Sequence, residues 1–137
     1  MMGIKTPYLA VDGIIQLFGQ NDNFRGIVLI ERKNPPLGLA IPGGFVDVGE
    51  TVEQAVVREM KEETDLDVEI IRLLGVYSDP QRDPRFHTVS IAFVCKAYGI
   101  PKAKSDAKKV NIYRLEDIPF DRLVFDHKKI LMDFLLR

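Results

Sequence analysis

The chain has a single cysteine, Cys95, among 137 residues. That excludes an internal disulfide framework and a cysteine-built zinc cluster. Cys95 alternates with apolar neighbours and reads as core. Neither charge is in surplus: 19 Lys and Arg face 20 Asp and Glu, a formal net charge of -1. A general nucleic-acid binder needs a basic excess to displace counterions, so no nucleic-acid partner is expected. The basic stretch of Lys102, Lys104, Lys108 and Lys109 reads as solvated surface. No apolar run approaches the ~20 residues that span a bilayer, so no membrane partner is expected. Residues 1–7 carry no apolar signal core, and the expected location is the cytoplasm. Two standard glycine-rich nucleotide loops are also missing: no Gly-x-Gly-x-x-Gly opens a helix after a strand, and no Gly-x-x-x-x-Gly-Lys-Ser/Thr occurs.

What is present suits one domain over residues 1–137, with 46% apolar residues to build a core. Strands are expected at 8–18, 24–31, 67–77, 88–97 and 110–115, with residues 20–23 as a hairpin turn. Residues 39–46 read as extended but broken by Pro42-Gly43-Gly44. Val89, Ile91, Phe93, Cys95 and Ala97 alternate onto one face. A helix is expected at 51–64, where Thr51 and Gln54 fit a capping box. A terminal helix is expected at 126–136, with Asp126 as N-cap and Ile130, Leu131, Phe134 and Leu135 as its apolar stripe. This order predicts an α/β fold, a mixed sheet covered by helices.

The first helix carries a conflict. Glu59, Glu62 and Glu63 are spaced i, i+3 and i+4, on the arc that begins with Val52, Ala55 and Val56. A stripe that should face the core therefore turns acidic. Two readings are open. The face is solvated, with Arg58 and Lys61 as partners, or a hard divalent cation neutralises it. The flank favours the cation: Gly43-Gly44 forms a turn whose carbonyls can approach an ion, and Glu50 is placed to bond Arg58.

The pattern runs Gly44, five residues, Glu50, seven residues, then Arg58-Glu59-Met60-Lys61-Glu62-Glu63-Thr64-Asp65-Leu66. It resembles the Nudix box, Gly-x5-Glu-x7-Arg-Glu-U-x-Glu-Glu-x-Gly-U, with U a bulky apolar residue. Asp65 stands where the box has glycine; Asp is one of the few residues tolerated in the left-handed conformation that ends a helix. The resemblance implies an α/β/α sandwich with a mixed β-sheet flanked by helices. It implies hydrolysis of a nucleoside diphosphate linked to another group. By position it makes Glu59, Glu62 and Glu63 metal ligands, with the Gly43 carbonyl as a fourth, for Mg²⁺ or Mn²⁺. Glu50 and Arg58 would hold the scaffold. Glu59, Asp106 and Glu116 stand open as the general base.

Residues 78–87, Ser-Asp-Pro-Gln-Arg-Asp-Pro-Arg-Phe-His, resemble a segment of small prokaryotic ADP-ribose pyrophosphatases, which often carry glycine where Phe86 stands. The Phe125-Asp126-His127 start of the last helix is similar to the same group. This makes Asp79, Arg82, Asp83, Arg85 and His87 candidate substrate-binding residues, two forked arginine donors among them. The plain alternative is a loop stapled by its own Arg–Asp pairs, with His87 a hydrogen-bonded structural residue. His127 can be purely local. Phe18, Phe45 and Tyr77 are either stacking surfaces for a base or core. The substrate expected is ADP-ribose, cleaved to AMP and ribose 5-phosphate. Other readings are a dinucleoside polyphosphate, a nucleoside triphosphate or NADH, or a module that senses ADP-ribose without cleaving it. The resemblance also implies a homodimer.

Overall fold

Eleven consecutive residues form β1 (Tyr8–Phe18), and this strand organises the sheet of the computed structural model, which describes residues 3–137. Along one edge β1 runs parallel with β6 (Thr88–Tyr98), paired from Tyr8↔Thr88 to Phe18↔Tyr98. Its other edge is divided. Ala10–Asp12 pair with β4 (Gly43–Phe45), while Gln16–Phe18 pair with β2 (Phe24–Arg32). The two neighbours diverge between these contacts. β2 also pairs with β3 (Leu39–Ala40) and β7 (Ala107–Tyr113), and β5 (Glu69–Tyr77) closes the far edge beside β6. Every named pairing but β1–β6 is antiparallel, so the seven-stranded sheet is mixed.

The two helices lie on opposite faces. α1 (Val52–Thr64) packs Ala55, Val56 and Met60 against Val11, Ile15, Phe93 and Cys95. α2 (His127–Leu136) packs Ile130 and Leu131 against Ile14, Ile27, Leu29, Ala92 and Val94. The α/β/α sandwich expected from the box is the observed architecture. The capping box is formed, with Thr51 Oγ1 accepting from the Gln54 amide and the Gln54 side chain from the Thr51 amide, at 3.0 and 2.9 Å. Asp65 ends α1 in the left-handed conformation, φ 62°.

Four local expectations are corrected. Residues 39–46 split into β3 and β4 on different partners, because the chain crosses from β2 to β1 at Ile41-Pro42. β6 is buried on both faces rather than one: Ser90, Ala92 and Val94 meet the α2 side. The last strand begins at Ala107 and ends at Tyr113, with Leu115 opening a single 3₁₀ turn. Leu135 leaves the apolar stripe, 39% exposed, while Asp126 takes the expected N-cap position of α2 with no capping bond from its side chain. No helix among the described residues is long and apolar enough to cross a membrane.

Candidate active site

Where β4 and β2 part company along β1, a cleft of about 300 Å³ opens. Ala10 and Asp12 of β1 and Ile30 and Arg32 of β2 line it, as do Gly43, Gly44 and Phe45 of β4. α1 contributes Glu59 and Glu63 from its last two turns. The fit between α1 and β4 is close. A Cβ on Gly44 would lie 2.3 Å from the Glu59 carboxylate, and one on Gly43 would meet the Val11 carbonyl at 2.2 Å. At Gly43 the obstacle is backbone and only glycine fits, whereas a side chain at Gly44 would push the Glu59 carboxylate out of place.

Glu50 and Arg58 brace the loop against the helix. Arg58 Nε and Nη2 donate to the two Glu50 oxygens at 2.9 and 2.6 Å, and Nη2 also donates to the Phe45 carbonyl at 3.0 Å. These bonds hold the Glu50 carboxyl down to about 2, and Glu50 in turn raises the Arg58 pKa. Arg58 Nη1 reaches Glu59 at 2.8 Å. Glu62 is on the outer side of α1, half exposed, and bonds Arg58 rather than lining the cleft. The structure therefore brings together Glu59, Glu63 and Gly43 of the expected ligand set and leaves Glu62 outside. Among the described residues no three His, Cys, Asp or Glu side chains converge tightly enough to hold an ion by themselves.

Glu63 nevertheless asks for a cation. It is 5% exposed, and its Oε2 is buried with no hydrogen-bond partner among the described residues. Burial pushes its pKa up to about 8, helped by the negative charges of Glu59, Asp12 and Asp106. A buried carboxylate oxygen without a donor is costly unless a charge meets it. Two carboxylates and backbone oxygens at an open cleft suit a hard ion that keeps several waters and completes its shell from phosphate oxygens. Glu59 and Glu63 would hold it, with Gly43 beside them.

The same cleft also holds cations. Arg32 and Arg85 both line the cleft, and their guanidinium carbons lie 5.0 and 5.4 Å from the centre of the Phe125 ring, each in cation–π range. Arg85 is held by a forked pair to Asp83 at 3.0 and 2.9 Å. Arg82 is spoken for: buried, it donates to both Asp126 oxygens at 3.0 and 2.7 Å and to the Thr88 carbonyl. Asp83 takes Arg85 and the Thr88 hydroxyl. Asp79 is exposed and lines a separate cavity beyond Arg82, and His87 bonds the Ser78 carbonyl at 3.0 Å, outside the cleft lining. Of the stacking candidates, Phe45 lines the cleft, Tyr77 is buried against Asp133, and Phe18 packs with Phe24 and Tyr98. Phe86 backs Arg85, ring to guanidinium 5.0 Å.

Asp106 lines the cleft, whereas Glu116 sits on the surface paired with Arg114. Sequence reasoning missed Asp12 and Arg32. Asp12 had a signal: a carboxylate in the middle of an apolar strand. It is buried, takes the Ser90 hydroxyl, and burial raises its pKa to about 6. His127 is not local. Its Nδ1 accepts from the Ile41 amide at 2.9 Å, its Nε2 lies 3.7 Å from Asp12, and burial holds its pKa down to about 3. A neutral ring accepting at Nδ1 carries its proton on Nε2, facing Asp12.

Comparison with known proteins meets this geometry at every scale. The NUDIX domain model matches residues 7–134. An ADP-ribose pyrophosphatase of Methanocaldococcus jannaschii is 51% identical over 132 residues, covering 94% of this chain and 73% of that one. A MutT/nudix family protein from Enterococcus faecalis superposes with a TM-score of 0.82 at 29% identity, over 97% of this chain and 62% of that one. The NUDIX domain of Shewanella oneidensis NrtR, complexed with ADP ribose, superposes with a TM-score of 0.81 at 26% identity, over 98% and 90%. With the box on α1 and its flank, and the match running nearly end to end, the chain belongs to the Nudix hydrolase family.

Proposed function

We propose that this chain, as a single domain, hydrolyses ADP-ribose to AMP and ribose 5-phosphate, with Mg²⁺ as its cation and Mn²⁺ as a substitute. The observation that carries the reading is that one cleft is lined by both the carboxylates Glu59 and Glu63 and the guanidinium groups of Arg32 and Arg85. A pyrophosphate joining two sugars presents anionic oxygens to both at once. The relative from M. jannaschii, an ADP-ribose pyrophosphatase, supports the choice of substrate.

Glu59 and Glu63 would hold a divalent cation, which would supply neutralisation of phosphate charge and a lowered pKa for the attacking water. Arg32 and Arg85 bind and orient the remaining phosphate oxygens, and Phe45 and Phe125 give the attached groups apolar surface. Asp106 is the better-placed base to take the water's proton. It is exposed at the cleft, whereas Glu59 is bonded to Arg58. A base of this kind contributes about 10²-fold or more, so Asp106→Asn should lower kcat by that order.

The test is a panel of ADP-ribose, NADH, dinucleoside polyphosphates and nucleoside triphosphates with Mg²⁺, read as AMP or phosphate release. Release of AMP from ADP-ribose, lost in Glu63→Gln, is the expected result. Brisk cleavage of another nucleotide and none of ADP-ribose would overturn the substrate. Tight ADP-ribose binding with no cleavage of anything would make the chain a sensor. We also propose a cytoplasmic homodimer. Edge strand β5 leaves Ile71, Leu73 and Val76 exposed, and light scattering should give twice the chain mass.

A further inference from the structure

The loop joining β6 to β7 is fastened to the end of α1 at three points. The Lys102 amide donates to the Thr64 carbonyl at 2.8 Å, and the Lys104 amide to the Glu63 carbonyl at 3.0 Å. The carbonyls of a last helical turn have no partner within the helix, so the loop supplies donors that α1 lacks. The third point is ionic: Lys104 Nζ donates to Asp65 Oδ1 at 3.3 Å, with Lys61 flanking at 3.8 Å. From the other side the Lys33 amide donates to the Asp106 carbonyl at 3.3 Å, and Lys33 Nζ to the Ser105 carbonyl at 2.8 Å. Asp106 lies between these fastenings and is the only residue of the loop that lines the cleft.

Asp65 is the one departure of this chain from the box. A glycine would meet the backbone demand, φ 62°, with less strain. Aspartate adds a carboxylate, and Lys104 takes it. The exposed pair contributes little to global stability, since such pairs are worth only a small amount. A contribution of that size still changes the ratio of docked to undocked loop by up to about fivefold.

We propose that Asp65 and Lys104 form a latch that holds the 100–106 loop against the carboxylate end of α1, and are positioning residues for Asp106. This rests on the hydrolase reading above. It makes Asp65 a functional variation of the box rather than a neutral one. The latch acts on the turnover step, not on substrate capture, because neither residue lines the cleft.

The experiment uses the full chain and four variants: Asp65→Gly, Lys104→Met, the double variant, and Lys104→Arg. Kinetics are measured with saturating Mg²⁺ on the nucleotide that the parent cleaves fastest. Urea unfolding and residue-resolved amide exchange are measured without nucleotide. Each of the first two variants should lower kcat roughly threefold to fivefold with KM unchanged, the double no further than either, and Lys104→Arg should keep parental kcat. Asp65→Gly should be at least as stable as the parent, because glycine suits the cap. The Lys102 and Lys104 amides should exchange faster in it while those of the α1 interior do not. Parental exchange at those amides in Asp65→Gly overturns the latch. Faster exchange with parental kcat overturns the positioning role, as does a double variant whose losses multiply. A parent that cleaves no nucleotide overturns the hydrolase reading, while the exchange measurement still decides the latch.

Discussion

Glu63 is the side chain on which pH acts most visibly. Its carboxyl is pushed up to about 8 in the folded chain, against 4.5 for an ordinary glutamate. Between those values the folded molecule keeps a proton that the unfolded chain has released, so stability without metal falls as pH rises. Asp12, raised to about 6, works in the same direction at lower pH. His127, lowered to about 3 from 6.5, works against both below pH 6.5, because its unfolded form binds the extra proton. The slope from pH 6.5 to 8 therefore has Glu63 as its main source, with Glu59, also raised by burial, acting in the same direction. Thermal melts in EDTA should show the midpoint falling across that window, Glu63→Gln should flatten the fall, and Mg²⁺ at pH 8 should restore the midpoint. The arginines separate by role. Arg82→Met strands a largely buried Asp126 and should cost about 3–5 kcal/mol in urea unfolding. Arg32→Ala removes a cation that faces the cleft, and should raise KM about tenfold or more, the usual worth of one charged hydrogen bond. Glu50, Arg58, Glu59 and Glu63 could be picked out through the resemblance to the box, because they lie on one helix and its flank at fixed spacing. Asp12 stands out in sequence only as a carboxylate inside an apolar strand; what it meets is not legible, because its partner Ser90 is 78 positions away. Arg82 and Arg85 look alike in sequence and both line the cleft, and only the fold pairs the buried first with Asp126 and leaves the second about a third exposed on Asp83.

At the scale of the element, α1 was the most readable part, since both its ends announce themselves. Thr51 closes a reciprocal pair with Gln54, and Thr51→Ala should cost about 1 kcal/mol in chemical denaturation with the m-value unchanged. The loss should appear as faster amide exchange in the first turn, far from Glu63. The strands were less readable where they met two partners. Residues 39–46 looked like one interrupted strand, and nothing local says that its halves join different neighbours. β6 looked one-faced because Thr88, Ser90 and Lys96 are polar. Ser90 is fully buried all the same, its hydroxyl satisfied by Asp12, and helices cover both faces of the sheet. Glu62 misled for the same reason that Glu63 did not. On a helix, i and i+1 are about 100° apart, enough to turn one carboxylate to solvent and the other to the cleft.

For the molecule as a whole, the class, a mixed sheet covered by helices, followed from the order of strands and two helices, and the three-layer order from the resemblance to the box. The position of the cleft did not, for it depends on how one strand divides its edge. That division carries a consequence for how such a protein can diversify. The floor of the cleft is register-locked: Asp12 faces Gly43 across one ladder while Ala92 pairs it on the other. Sliding β1 by a single residue would exchange the inward and outward sets along its whole length. An insertion in β1 should therefore abolish folding, whereas a one-residue insertion between Leu37 and Gly38 should leave the chain folded and change its kinetic constants. Novelty in what the molecule accepts must come from its rims, and the hearth beneath them is inherited intact or not at all.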